Sequence, residues 1–153
     1  PMKTSQKKVL AVASGGGHWV QLMRLRPALT GCRCAFVSVD EGSRAAVAPD
    51  KFYRVLDGNR STKLKLIFIV VKLLYIVLAF RPDVIVSTGA AHGYLAIRLG
   101  KLVGAKGLFI DSIANAEKLS LSGELAVAHS DLVLTQWPAL SDEQRVFYRG
   151  AVL

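Results

Sequence analysis

A continuous apolar run that ends in glycines constrains the fold of this chain more than any other feature. Residues 9–13 are apolar without interruption, and Ser14, three glycines and His18 follow directly. A short apolar run without polar alternation, bounded by glycine, is typical of a strand that is buried on both faces of a parallel sheet. We therefore expect the first strand at 9–13 and a backbone turn immediately after it.

The same arrangement recurs along the chain. Further strands are predicted at 35–39, 52–55, 83–87, 107–110 and 131–135, and helices at 19–29, 64–80 and 93–103. Strands that alternate with helices predict an α/β fold, an open parallel Rossmann-like sheet with right-handed crossovers. Residues 1–153 are expected to form one such domain. Ligands of these sheets bind beyond the carboxyl ends of the strands, so chemistry is expected in the loops there.

Composition and charge narrow the classes of partner. The 153 residues are 52% hydrophobic and carry 20 Lys and Arg against 11 Asp and Glu, a formal net charge of +9. This composition excludes a disordered chain and favours an anionic partner. The basic residues flank apolar stretches, which favours a membrane surface and no nucleic acid. Cys32 and Cys34 lack the further ligands of a metal site, so a metal is not expected. No cofactor is predicted either.

The loop at 14–18 is a candidate anion site. Glycines allow the backbone to approach a ligand closely, and the free N–H groups at a helix start attract phosphate. The lysine of a P-loop is missing, and Val20 stands where a dinucleotide fingerprint has its third glycine. A tight turn without a ligand is the alternative. The predicted substrate-binding residues are Ser14, Gly15, Gly16 and Gly17, with His18 next to them.

A second loop, at 87–93, has the same combination of small residues, hydroxyl groups and a following helix. Two anion-binding loops at one edge of a sheet favour a large phosphorylated substrate over one small anion. The predicted substrate-binding residues here are Thr88, Gly89 and His92. For His92, a structural role at the helix start, bonded to the backbone, is the alternative.

The apolar helix at 64–80 is the candidate membrane contact. Its 17 residues include two lysines, whereas a bilayer span needs roughly 20 apolar residues and a central lysine is costly. Lys65 and Lys72 share one helix face, and their stems can lie along apolar surface while the ammonium groups meet lipid phosphates. The predicted membrane residues are Lys65, Phe68, Lys72 and Tyr75. A core helix with one solvated edge is the alternative.

Two later segments, 111–123 and 135–140, resemble a specific family of glycosyltransferase subunits. The chain resembles the membrane-anchoring subunit of the two-part UDP-N-acetylglucosamine transferase that adds the second sugar of eukaryotic N-glycan precursors. It is still more similar to bacterial exopolysaccharide subunits of the PssD type, most of all at 9–25. The resemblance covers nearly the whole chain.

The resemblance implies the N-terminal, acceptor-binding half of a GT-B glycosyltransferase, similar to MurG, with a PssE-like partner that binds most of the donor. The implied reaction transfers glucuronic acid or N-acetylglucosamine from a UDP-sugar donor to a polyprenyl-diphosphate-linked acceptor in polysaccharide biosynthesis. The implied location is the cytoplasmic face of the inner membrane, with peripheral or monotopic attachment. No N-terminal transmembrane helix like that of eukaryotic members is expected, so attachment would rest on 64–80 or on the partner.

Metal-independent GT-B chemistry needs a base for the acceptor hydroxyl and positive groups for the leaving diphosphate. His18 is the first candidate base because imidazole titrates near neutrality. Asp111 and Glu117 are the other candidates, and Asn115 is a predicted substrate contact. A D-x-D pair is absent from the sequence, so a metal-dependent mechanism is not expected. A non-catalytic membrane scaffold that recruits the catalytic partner and a nucleotide-cofactor-binding Rossmann protein remain as alternatives.

Overall fold

In the computed structural model, which describes residues 5–58 and 62–152, a seven-stranded sheet is covered by helices on both faces. The strands are β1 (Lys8–Val12), β2 (Arg33–Ser38), β3 (Lys51–Arg54), β4 (Val84–Ser87), β5 (Lys106–Ile110), β6 (Leu132–Thr135) and β7 (Val146–Tyr148). Their order is β3-β2-β1-β4-β5-β6-β7, and all six pairings are parallel. The predicted open parallel α/β sheet is confirmed.

β1 is the strand at which the order of the sheet reverses. The chain runs outward from β1 to β2 and β3, and then returns to the other side of β1 to form β4. Leu10 is fully buried and aligns with Ala35 of β2 and Ile85 of β4. In doubly wound sheets a crevice opens at this reversal, outside the carboxyl ends of the strands. The site should therefore lie between the segments that follow β1 and β4.

The helices are α1 (Gly16–Leu25), α2 (Arg44–Val47), α3 (Lys63–Phe80), α4 (Ala91–Gly100) and α5 (Leu121–His129). One core cluster joins one face of the sheet to α3, α4 and α5, and a second joins the other face to α1 and α2. Leu73 of α3 and Leu22 of α1 are both fully buried, one in each cluster. Burial of a side chain of this size contributes about 1.5–3 kcal/mol to stability.

The two helices next to the crevice begin earlier than predicted. α1 starts at Gly16 instead of residue 19 and ends at Leu25. A 3-10 turn that contains Pro27 follows it. α4 starts at Ala91 instead of residue 93 and ends at Gly100, and a 3-10 turn at Lys101–Val103 follows it. Glycine is a poor helix former, which is why these residues read as loop. Much of each predicted loop is therefore the first turn of a helix.

Helix α3 belongs to the core on one side and is exposed on the other. Thr62 caps its start by accepting a hydrogen bond from the Lys65 N–H at 3.2 Å, and Pro82 follows its end. The buried side chains are Ile69, Leu73, Ile76, Val77 and Phe80. The exposed face carries Leu64, Ile67, Phe68, Val71, Tyr75 and Leu78, each between 46% and 64% exposed. Among the described helices, none is long and apolar enough to cross a membrane.

Candidate functional site

A cavity of about 460 Å³ lies at the carboxyl edge of the sheet, between the segments that follow β1 and β4. Asp57 and Gly58 form part of its wall. The two predicted loops supply the residues that face each other across it: Ser14, Gly15, Gly16 and His18 from the first, and Ala90, Ala91 and His92 from the second. The structure thus brings both predicted loops to one cavity.

The N-termini of α1 and α4 open onto this cavity without a capping side chain. Gly15 and Ala90 are the residues that precede them, and neither helix has an acidic residue in its first turn. By contrast, α3 and α5 are capped by the hydroxyls of Thr62 and Ser120. The first N–H groups of a helix have no partner within it and carry a partial positive charge. Two uncapped helix starts on one cavity form a site that favours an anion.

The first loop is held in place through its backbone. The carbonyl oxygen of Ser14 accepts hydrogen bonds from the Val39 N–H at 2.8 Å and from the Ser38 hydroxyl at 2.9 Å. Gly16 has φ +52°, and no heavy atom of the described residues lies within 4 Å of a Cβ built there. Gly16 therefore serves the backbone conformation, because an L side chain is strained at this φ.

His18 lies half-buried in the first turn of α1 and contacts the second loop. Its Nδ1 is 3.0 Å from the carbonyl oxygen of Thr88, and the Thr88 hydroxyl donates to the carbonyl oxygen of His18 at 2.6 Å. Gly89 has φ +120°, and a Cβ there would lie 2.5 Å from His18 Nδ1. The imidazole ring therefore packs directly on a position where only glycine leaves room for it.

Thr88 and His92 are more buried than the predicted substrate contact requires. The Thr88 side chain is fully buried and bonded to backbone, beneath the loop. His92 is 3% exposed, and its Nε2 donates to the Leu56 carbonyl oxygen at 2.7 Å. Within 5–58 and 62–152, its Nδ1 has no hydrogen-bond partner. This geometry favours the structural alternative for His92, while a contact with substrate stays a prediction.

The other two candidate bases lie in the segment between β5 and α5. Asp111 is 2% exposed, and its carboxylate accepts from the Ser120 N–H at 2.9 Å and from the Ser120 hydroxyl at 2.6 Å. These bonds tie the end of β5 to the capping residue of α5. Glu117 is exposed and Asn115 half-buried. Catalysis by Asp111 or Glu117 and substrate binding by Asn115 stay predictions.

Sequence reasoning missed a buried chain of amide side chains beside this segment. Gln136 donates to Gln21 Oε1 and to the Asp111 carbonyl oxygen, both at 2.9 Å, and Gln21 donates to the Ser112 hydroxyl at 3.2 Å. Gln136 Oε1 accepts from the Val152 N–H at 2.7 Å. These bonds fix the segment after β5 and the C-terminal residues against α1. The one feature of the sequence that could have indicated this network is Gln21, a polar residue next to the apolar Leu22 on the helix predicted there.

Val20 does not pack against the sheet. In the dinucleotide fingerprint the third glycine lets the helix pack closely on a strand, so a valine at position 20 counts against a dinucleotide site. In the structure Val20 is 47% exposed, and Gln21 and Leu22 are the buried residues of α1. The argument from Val20 against a dinucleotide site is therefore wrong, because the side chain points away from the sheet.

A larger cavity of about 540 Å³ lies elsewhere, near the start of β2. Arg26, in its wall, donates to the Ala46 carbonyl oxygen at 2.7 Å and pairs with Asp50 at 3.4 Å. Burial raises the pKa of the Cys34 thiol, and the nearby Asp50 carboxylate raises that pKa further. The thiol is thus protonated at neutral pH and is a poor nucleophile. This cavity is remote from the helix starts that could bind an anion.

The predicted membrane residues share the exposed side of α3. Phe68 and Tyr75 are 56% and 59% exposed, Lys72 is exposed, and Lys65 is half-buried. The ammonium group of Lys72 lies 5.7 Å from the centre of the Tyr75 ring. The side of α3 that the core does not use thus combines apolar area with positive charge, as lipid contact requires. Contact with a membrane stays a prediction.

Solved structures with a similar fold support the open parallel α/β sheet predicted from the sequence. MurG of Acinetobacter baumannii superimposes with a TM-score of 0.75 at 13% identity, over 93% of this chain and 45% of MurG. UDP-N-acetylglucosamine 2-epimerase of Rickettsia bellii gives 0.71 at 14% identity, over 95% of this chain and 45% of the epimerase. At these identities the likeness shows the fold, which matches about half of each protein.

Sequence comparisons identify the family. The chain is 39% identical over 79 residues to the "UDP-N-acetylglucosamine transferase subunit alg14" of Schizosaccharomyces pombe (strain 972 / ATCC 24843). That match covers 46% of this chain and 37% of the yeast protein. The model of the family described as "Oligosaccharide biosynthesis protein Alg14 like" matches residues 50–152, which include the second loop but not the first. The chain therefore belongs to the Alg14-like family of oligosaccharide biosynthesis proteins.

Proposed function

We propose that this chain is the acceptor-binding, membrane-associating subunit of a two-component glycosyltransferase. The reaction transfers a sugar from a UDP-sugar to a polyprenyl-diphosphate-linked saccharide. The observation that carries this proposal is the cavity between two uncapped helix starts, with His18 in its wall. Family membership and the name of the yeast relative, a transferase subunit, support the role of a glycosyltransferase subunit.

The cavity suits the diphosphate of a lipid-linked acceptor. Each uncapped helix start offers N–H groups to one phosphoryl group, and the adjoining residues Gly15, Gly16, Ala90 and Ala91 leave the backbone accessible. A volume of about 460 Å³ is within the range of small-molecule sites and leaves room for a sugar next to the diphosphate. The acceptor diphosphate would therefore lie across both loops.

His18 would act as the general base. The acceptor hydroxyl loses its proton to the imidazole as its oxygen forms a bond to the anomeric carbon of the donor sugar. The bond from that carbon to the donor phosphate breaks, and UDP leaves with the electron pair. A positioned base of this kind contributes about 10²–10⁴-fold to the rate. Asp111 is a weaker candidate because Ser120 already donates to both of its carboxylate oxygens.

A second, PssE-like chain would bind the donor nucleotide. The name of the yeast relative, a transferase subunit, supports a second chain. N-acetylglucosamine is the sugar in the name of the yeast relative and is the first donor to test, with glucuronic acid the second. Sugar transfer to a lipid-linked acceptor, measured with and without such a partner, tests this assignment.

The exposed face of α3 would attach the chain to the cytoplasmic face of the inner membrane. Helix α3 begins at Lys63, shortly after the segment that contributes Asp57 and Gly58 to the cavity wall. Attachment through this face would keep the cavity close to the lipid headgroups, where a polyprenyl diphosphate presents its sugar. Peripheral contact, with the apolar side chains in the interface and the lysines at the phosphates, is consistent with the exposed residues of the helix.

Reversing two charges on α3 should weaken membrane binding. We expect the double variant Lys65→Glu/Lys72→Glu to bind anionic liposomes at least about 30-fold more weakly at low salt, because each lysine near an acidic surface contributes about 1 kcal/mol. Liposome sedimentation measures the effect. Arg24→Glu/Arg145→Glu is the matched control. It changes the net charge equally at two exposed residues, one in α1 on the opposite face of the sheet from α3 and one in the segment before β7. Equal loss in both variants would show that α3 is not the attachment surface.

A further inference from the structure

Two reciprocal hydrogen bonds join the first turn of α1 to the segment after β4. The His18 ring is bonded to the Thr88 carbonyl oxygen at 3.0 Å, and the Thr88 hydroxyl is bonded to the His18 carbonyl oxygen at 2.6 Å. The two residues are 70 positions apart in the sequence. Each residue thus uses its side chain to bind the backbone of the other, which fixes the ring relative to both loops.

The bond to a carbonyl oxygen determines the tautomer of His18. A carbonyl oxygen can only accept a hydrogen bond, so Nδ1 must carry the proton that it shares with Thr88. In the neutral ring the lone pair then belongs to Nε2. A histidine that acts as a base needs its free lone pair on a defined nitrogen, and a neighbouring acceptor commonly sets which one. Here the acceptor is a backbone carbonyl.

The surroundings of the ring restrict it further. Gly89 lies against it, and a Cβ at that position would be 2.5 Å from Nδ1. Thr88 is fully buried, so its hydroxyl is not exposed to a ligand in the cavity and is used for the bond to His18. The contact surface of Gly89 and the two bonds of Thr88 together hold one ring orientation.

We infer that Thr88 is a positioning residue, which holds the proton of His18 on Nδ1 and so leaves Nε2 as the basic nitrogen of the cavity. The inference deepens the proposed function and rests on it where it concerns catalysis. Its first part, the tautomer, is a property of the chain alone. It also assigns the Thr88 hydroxyl to the support of His18 and not to the substrate.

Two variants of Thr88 separate the hydroxyl from the shape of the side chain. Thr88→Val keeps the branched shape and removes the hydroxyl, and Thr88→Ser keeps the hydroxyl. Thr135→Val is the matched control, because Thr135 is 2% exposed at the end of β6 and its hydroxyl oxygen accepts from the Trp137 N–H at 3.2 Å. Long-range ¹H–¹⁵N NMR spectra of the labelled chain report which ring nitrogen carries the proton. With three histidines in the chain, a His18→Gln spectrum assigns the signals.

We expect the proton on Nδ1 in the unmodified chain, in Thr88→Ser and in Thr135→Val. In Thr88→Val we expect a mixture of tautomers, because the hydroxyl bond that holds the His18 backbone against the Thr88 carbonyl is lost and the ring is no longer kept in register with that carbonyl. In the reconstituted pair, Thr88→Val should lower kcat by about tenfold to a hundredfold with little change in KM, since a small misplacement of a catalytic group has effects of this size. Thr88→Ser should restore most of the rate. A proton on Nε2 in the unmodified chain, or an unaltered Thr88→Val spectrum, would overturn the inference.

The kinetic and spectroscopic measurements distinguish this inference from the proposed function. A Thr88→Val enzyme with the kcat of the unmodified pair, despite an altered tautomer, would overturn the catalytic part of the inference. If the spectra behave as expected and no combination of donor and partner gives transfer, the proposed function fails and the positioning of His18 is supported.

Discussion

Replacement of His18 by alanine is expected to lower kcat of the reconstituted pair by about 10²–10⁴-fold, the usual contribution of a positioned general base. We expect this loss because His18 lies in the cavity wall and its ring is bonded to the Thr88 carbonyl oxygen. His18→Gln separates two roles for the imidazole. Glutamine keeps a hydrogen-bond donor, so it should retain much of the activity only if His18 merely binds the diphosphate. We expect His18→Gln to be as impaired as His18→Ala.

A second histidine provides the control for this prediction. His129 is the last residue of α5 and contacts Arg98, away from the cavity. His129→Ala should leave kcat unchanged. The pH profile is a further measurement, since an inflection of kcat/KM that reports the base should disappear in His18→Gln if His18 is that base. A normal kcat in His18→Ala would exclude His18 as the base and leave Asp111 and Glu117 as candidates.

Replacement of Gly93 by alanine is expected to destabilise the fold by about 1–3 kcal/mol, the usual cost of excess volume in a packed core. Gly93 lies in the first turn of α4, and a Cβ there would overlap the side chain of Ser87 at the end of β4. Ser87 is fully buried and bonded to Gly89, so it has little room to move. Urea denaturation should show a lower midpoint. An unaltered midpoint would contradict the close approach of α4 and β4.

Gly17 is the matched control because it occupies the first turn of α1. It is exposed, and no heavy atom of the described residues lies within 4 Å of a Cβ built there. Alanine is a better helix former than glycine by about 1 kcal/mol. Gly17→Ala should therefore leave the free energy of unfolding unchanged or raise it. The two glycines look equivalent in the sequence, and only their neighbours in the fold distinguish them.

The sheet was predictable because its central strands are buried on both faces. Residues 9–13 and 84–86 are short apolar runs, and the strands predicted there, at 9–13 and 83–87, coincide with β1 and β4 to within one residue. The starts of α1 and α4 were predicted too late. Gly16, Gly17 and Gly93 oppose helix formation locally, but the chain must turn back along the sheet as soon as β1 and β4 end. Packing on the sheet therefore overrides the local preference.

Three elements, α2, α5 and β7, were not predicted, and distant contacts define the last two. α5 carries Gly123 in its first turn and leaves Leu121 and Leu125 exposed, so its apolar residues form no clear stripe. Its start depends on the bonds between Ser120 and Asp111, which are nine positions apart. β7 has only three residues and exists through its parallel pairing with β6. Neither a periodic pattern nor a turn motif marks either element.

The candidate site was predictable as a place and not as a set of side chains. Glycine loops after β1 and β4 had to meet at one edge of a parallel sheet, and they do. The sequence could not reveal that the Thr88 hydroxyl donates a hydrogen bond to the His18 carbonyl oxygen. Nor could it reveal that the Ser120 hydroxyl donates one to the Asp111 carboxylate. Such assignments depend on which long-range partner a polar group finds when it is buried.

Sugar transfer by the chain alone, by its donor-binding partner alone and by the two together tests the central claim most directly. A labelled UDP-sugar and a polyprenyl-diphosphate-linked acceptor are the substrates, with N-acetylglucosamine and glucuronic acid as the two donors. We expect transfer only when both chains are present, because the acceptor cavity and the donor site would lie on different proteins. Turnover by this chain without a partner would contradict the assignment of an acceptor-binding subunit.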